Sequence, residues 1–167
     1  MQTFVKLLAL IAIFYQSYSL KLTANSISID CDSCDGLSGS VTVSPSPIKL
    51  PGDVSFTAKG KLNVEVPSTA SAKTTLQKHL FGSIWIDIPC TDGLIGDCTI
   101  DDACSLITKF GLPKPCPISP QSFDVSDTVP VNESITSLEV GDYRGTIKIY
   151  DGSKEIICTS GTFSLSD

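Results

Sequence analysis

Apolar and polar side chains alternate along most of the chain. Ser26, Ile27, Ser28 and Ile29 do so, and then Ser40, Val41, Thr42 and Val43. The alternation continues through Val54, Phe56 and Ala58, and then Leu62, Val64 and Val66. It returns at Ile84, Ile86 and Ile88, at Tyr143, Gly145, Ile147 and Ile149, and from Ile156 to Leu165. A period of two puts the apolar residues on one face of an extended chain, so each run predicts a half-buried strand. Breaks fall at Pro45-Ser46-Pro47, Pro51-Gly52, Pro67-Ser68, Gly141-Asp142 and Asp151-Gly152. The last lies between two apolar runs and reads as a hairpin turn. Short strands with frequent turns predict an all-β fold, an antiparallel sandwich or open barrel.

One segment departs from this period. Ala103, Leu106, Ile107 and Phe110 recur at helical spacing, and Gly111 and Pro113 follow as stops. Thr99 offers a cap, and Asp101 and Asp102 suit the positive end of a helix dipole. The pattern predicts one short helix near 100–110.

The first 19 residues read as a signal peptide. Lys6 gives the positive start, Leu7 to Tyr15 are an unbroken apolar run, and Ser17 and Ser19 are small residues suited to cleavage. Nothing later approaches the roughly 18 apolar residues of a membrane helix. The expectation is a signal peptide over 1–19 and a single domain over 20–167, placed in the secretory pathway, either the lysosomal lumen or the extracellular space. All seven cysteines would then reach a compartment where disulfides persist. Asn132-Glu133-Ser134 is a glycosylation sequon, which fits the same route.

Net charge is −6, and loss of Lys6 with the leader takes it to −7. No basic stripe is present, which argues against nucleic acid as a partner. The chain has one histidine, His79, and lacks a Gly-x-Ser-x-Gly elbow, a P-loop and a His-Glu-x-x-His motif. Asp101 and Asp102 are adjacent, and such pairs at a helix start usually serve the dipole rather than glycoside hydrolysis. Asp30, Asp32 and Asp35 precede Gly36, one place late for a calcium loop, and no terminal glutamate follows. No enzyme, cofactor or metal is expected.

The cysteines limit the loops. Cys90 and Cys98 flank a turn-rich stretch with two glycines, while Cys104 sits on the expected helix and Cys116 follows its stop. Cys158 in the last strand would reach back to Cys31 or Cys34. Such a bridge closes a long loop, worth on the order of 4–5 kcal/mol in the chain-entropy model. The Cys31-Asp32-Ser33-Cys34 spacing lacks the context of a redox or zinc site. Four of the cysteines lie just behind the only tryptophan, Trp85, with apolar Leu94, Ile95, Phe110 and Leu112 in the turns between them. Loops normally present polar residues to water. A stapled, apolar-tipped rim suggests contact with something greasy.

Several short runs carry a resemblance. They are Leu50-Pro51-Gly52-Asp53-Val54, Ile84 through Asp92, and Ile95-Gly96-Asp97-Cys98-Thr99. Pro115-Cys116-Pro117 and Gly141-Asp142-Tyr143-Arg144 add to them. The chain resembles the GM2-activator-like branch of the ML (MD-2-related lipid-recognition) family, from about Cys34 to Cys158. The resemblance implies an immunoglobulin-like cup of antiparallel strands around an internal lipid cavity. It implies a non-enzymatic lipid-binding and lipid-transfer protein for a glycolipid or phospholipid, with transient membrane contact, and a lysosomal glycosidase as candidate partner. A sensor that binds lipid and a receptor without transfer is the alternative.

The same resemblance pairs Cys34 with Cys158 and Cys90 with Cys98. Relative to the branch, the chain lacks a longer loop with two further cysteines after Cys116, so Cys104 is expected to bond Cys116. Cys31 matches no family cysteine and is the expected unpaired thiol. The family's exposed apolar loop matches Leu80-Phe81-Gly82-Ser83-Ile84-Trp85.

Why such a rim would be needed follows from solvation. A CH₂ group costs about 0.8 kcal/mol in water, so a 16-carbon chain costs roughly 13 kcal/mol to expose. Leu80, Phe81, Ile84, Trp85, Leu94, Ile95, Phe110 and Leu112 are therefore the candidate lipid and membrane contacts. Lys78 and His79 are the candidate headgroup contacts.

Overall fold

The computed structural model describes residues 26–29, 36–49, 51–91, 93, 95–104, 116–131 and 138–166. The leader, Cys31, Cys34, Leu94, Phe110, Leu112 and Asn132 lie outside these residues.

Among the described residues ten strands follow in order: β1 (Ser26–Ile29), β2 (Leu37–Ser44), β3 (Ile48–Lys49), β4 (Gly52–Leu62), β5 (Ser71–Phe81), β6 (Ile84–Asp87), β7 (Cys98–Ile100), β8 (Gln121–Val131), β9 (Gly141–Asp151) and β10 (Lys154–Ser166). They form two sheets. One has the order β1-β2-β4-β8, and the other has β3-β10-β9-β5-β6, with β7 also pairing β5. All pairings are antiparallel except that of β3 with β10. The domain is all-β, as the alternation predicts.

The sequence period maps directly onto the two faces. In the first sheet Val41, Val43, Val54, Phe56, Ala58 and Leu62 are buried while their neighbours face solvent. The outer face carries hydroxyl pairs, Ser55 with Thr128 and Thr57 with Ser126, each at 2.8 Å. In the second sheet Ala72, Leu76, Tyr143, Thr159, Phe163 and Leu165 are buried. The two inner faces enclose the core, which divides into two clusters. One gathers around Phe56, Leu76, Tyr143 and Phe163, with the Tyr143 and Phe163 rings stacked at 5.2 Å. The other gathers around Leu62, Val66, Ala70 and Ile157.

Not every inward residue is sealed. Ile88, Phe123, Val125 and Ile147 pack against the first cluster yet keep part of their surface accessible.

The expected helix differs at its start. Thr99 and Ile100 belong to β7, where they pair with Lys73 and Ala72. The sheet ladder satisfies their backbone groups and so pre-empts a helix cap there. Helical backbone is found at Ala103 and Cys104, and residues 105–110 lie outside the described part.

Candidate functional site

The β5–β6 hairpin turns at Gly82 and Ser83, at one end of the second sheet. Its strand ends carry Leu80, Phe81, Ile84 and Ile86, and Val140 immediately precedes β9, the neighbour of β5. These five are the exposed large hydrophobics among the described residues, with 40–67% of their surface accessible. Their gathering on one hairpin and the adjoining strand start makes a single apolar rim. Scattered exposed apolar residues need no explanation, but a contiguous patch marks a contact surface.

Alternation along β5 separates the two candidate headgroup residues. Lys78 shares the inward face with Leu76 and stands opposite Ile86 and Tyr143. Its side chain is only 15% exposed, and its Nζ donates to Glu139 Oε2 at 2.5 Å. Its ammonium also lies 6.0 Å from the centroid of the Tyr143 ring. The hydrogen bond to Glu139 raises the Lys78 pKa, outweighing desolvation, and lowers that of Glu139. Gly141 makes room for this side chain. A Cβ there would lie 3.2 Å from Lys78 Cε, and its φ of +147° is one that side-chain-bearing residues rarely adopt. Burial raises the pKa of the Tyr143 phenol, whose OH donates to the Glu139 carbonyl at 2.5 Å.

His79 faces the other side. It pairs with Trp85 across the ladder, the rings 4.8 Å apart, and its Nε2 lies 2.8 Å from the Gly82 carbonyl. On that outer face Arg144 covers the Trp85 ring at 4.4 Å from the centroid. Arg144 Nε donates to Gln77 Oε1 at 2.5 Å, and Gln77 Nε2 donates to Asp87 Oδ1 at 2.6 Å. Trp85 is thus a half-buried strand residue held between a cation and an imidazole. The rim tip is formed by Leu80, Phe81 and Ile84.

Behind the rim lies the stapled segment. Cys90 bonds Cys98 with Cα atoms 4.9 Å apart, and Cys104 bonds Cys116 at 5.9 Å. Thr91 and Ile95 exchange backbone hydrogen bonds inside the first loop, which turns Ile95 onto the core. Gly96 closes that loop with φ +107°, and a Cβ there would come within 2.3 Å of the Pro89 carbonyl. Cys158 sits half-buried in β10; its expected partner, Cys34, is outside the described residues.

Sequence reading missed three features here: the exposure of Ile86 and Val140, the Lys78–Glu139 pair, and the Arg144–Trp85 stack. The first had a signal, since Ile86 shares its strand face with Ile84. The pairs join residues far apart in sequence, and only strand register brings them together.

The family model for the ML domain matches residues 26–165. The chain belongs to the ML-domain family. The ganglioside GM2 activator of Mus musculus is 30% identical over 156 aligned positions, covering 80% of each chain. That of Macaca fascicularis is 29% identical over 160 positions, covering 83% of each. The two-sheet architecture is that expected of an ML domain.

Proposed function

We propose that this ML-domain protein is a non-enzymatic lipid carrier. It takes a glycolipid or phospholipid from a membrane into the space between its sheets and then presents or shuttles it. The observation that carries this reading is the single apolar rim of Leu80, Phe81, Ile84, Ile86 and Val140. Apolar residues packed against the nearby core, Ile88 and Ile147 among them, are only partly buried. The rim dips among headgroups, and the acyl chain lies along residues such as Ile88 and Ile147. The similarity to ganglioside activators supports the lipid as cargo.

A finer reading follows from the same similarity. After loss of a 1–19 leader, the 20–167 domain works in the lysosomal lumen or outside the cell, offering its lipid to a glycosidase. A fluorescent glycolipid or phospholipid in donor vesicles tests the core of the proposal. Transfer to acceptor vesicles at catalytic protein amounts is the expected result. Saturable binding without transfer would point instead to a lipid sensor, and a change in the lipid's mass would point to an enzyme.

A further inference from the structure

The rim holds one charged side chain that faces inward. Lys78 is surrounded by Ile86 across the ladder, the Tyr143 ring and Leu76, with Gly141 giving it space. Among the described residues its ionic partner is Glu139, and the two are unequal. Lys78 is 15% exposed and Glu139 is 84% exposed. Most of the Lys78 side chain is covered, so its ammonium has few directions open to water and favours an anionic partner. The carboxylate is well hydrated and loses little by leaving.

The chain around Glu139 also favours departure of the side chain alone. Leu138 is buried in the core, and the Glu139 carbonyl is held by the Tyr143 hydroxyl. The backbone is thus held on both sides, while the carboxylate, bonded to Lys78, is otherwise open to water. Val140, the next residue, belongs to the apolar rim. An anion delivered at this point arrives with an apolar tail beside it.

We propose that Lys78 is an anion-binding residue at the mouth, and that the Glu139 carboxylate occupies the place taken by the acidic headgroup of a bound lipid. Binding exchanges one oxygen anion for another on Nζ, with Glu139 turning outward. The ligand class is a lipid with a phosphate, sulfate or carboxylate close to its acyl chains. A charge-assisted bond in a partly dehydrated site then discriminates it from a neutral lipid of the same tail. The outward-facing His79 takes no part. This inference rests on the lipid-carrier reading and names its lipid class.

The test uses trace fluorescent phosphatidic acid, or fluorescent diacylglycerol with identical chains, in neutral vesicles. The full-length secreted protein is incubated with each and the protein-bound fraction is measured. The wild type takes up the acidic lipid preferentially. Glu139→Gln raises that preference about tenfold, the size expected for one charge-assisted hydrogen bond freed from competition. Lys78→Met reduces the ratio to one while neutral-lipid uptake persists, whereas Lys78→Arg retains it. Lys73→Met, which removes an exposed charge elsewhere on β5, leaves the ratio unchanged.

A ratio unaffected by both Glu139→Gln and Lys78→Met would overturn the anion site and leave the carrier reading standing. Full competition by inorganic phosphate would replace the lipid headgroup by a free anion and overturn the lipid assignment. Failure of the wild type to take up either lipid would sink the carrier reading itself.

Discussion

The Arg144 guanidinium carbon lies 4.4 Å from the centroid of the Trp85 ring, while Arg144 Nε donates to Gln77, which in turn donates to Asp87. This ties β9 to the edge strand β6 across β5, and it orients the β5–β6 hairpin that carries the rim. Arg144→Met removes the cation and the hydrogen bond to Gln77 but keeps much of the stem. It is expected to lower stability by about 1–2 kcal/mol, the range for a partly desolvated cation–π contact with one charged hydrogen bond. A denaturant midpoint shift with unchanged slope checks this, and no shift would show the stack to be idle.

The rim and the stack are separable. Phe81 is 67% exposed, so Phe81→Ser should leave stability within about 0.5 kcal/mol of wild type, as surface changes usually do. Vesicle-to-vesicle transfer should fall several-fold, because the loss is in membrane contact rather than in the fold. Trp85→Ala should instead lower both, since its ring packs between Arg144 and His79. Equal transfer by Phe81→Ser and wild type would remove the hairpin tip from the mechanism.

Most strands were legible because one face of each is apolar. Val54, Phe56 and Ala58 announce β4, and Tyr143 through Ile149 announce β9. Four strands left no such trace, and two of them, β3 and β7, are only two and three residues long. β5 places Ala72, Thr74, Leu76 and Lys78 on its inward face, so the apolar signal is diluted by a hydroxyl and an amine. β8 is an edge strand with Pro130, Asp124 and Asp127 in it. Polar and proline residues are what edges tolerate, and they hide the period. The rim was half legible for the same reason: the hairpin apolar residues stand out in sequence, but their charged neighbour gains meaning only from its register with Tyr143.

The Cys90–Cys98 bridge holds the loop that packs Ile95 onto the core beneath the rim. Cys98 is almost fully buried, so replacing both residues by serine also leaves a hydroxyl in an apolar site. A loss of about 2–5 kcal/mol is expected, as for native disulfides of small secreted domains. A change below about 1 kcal/mol in reversible unfolding would mean that strand pairing of β7 alone sustains the segment.

Acidity should strengthen docking without breaking the Lys78–Glu139 pair. The chain carries 18 acidic residues and its sequence pI is near 4.6. Carboxylates as a class titrate near pH 4, so net repulsion from anionic membranes fades as pH falls toward about 5. Glu139 is held below its ordinary value of 4.5 by Lys78. A depressed carboxyl contributes stability above its unfolded pKa and loses it only as pH falls through the lower folded value. Lys78 is raised from 10.5, so its contribution is lost only when pH rises through that higher value. The pair therefore persists across the whole range in which net charge is shed. Co-sedimentation with anionic liposomes should rise between about pH 7 and 5, while the melting difference between wild type and Glu139→Gln stays constant there. That difference should shrink only once pH drops below the ordinary carboxylate range. Flat co-sedimentation, or a melting difference that vanishes already at pH about 6, would refute the linkage between surface charge and this protected pair.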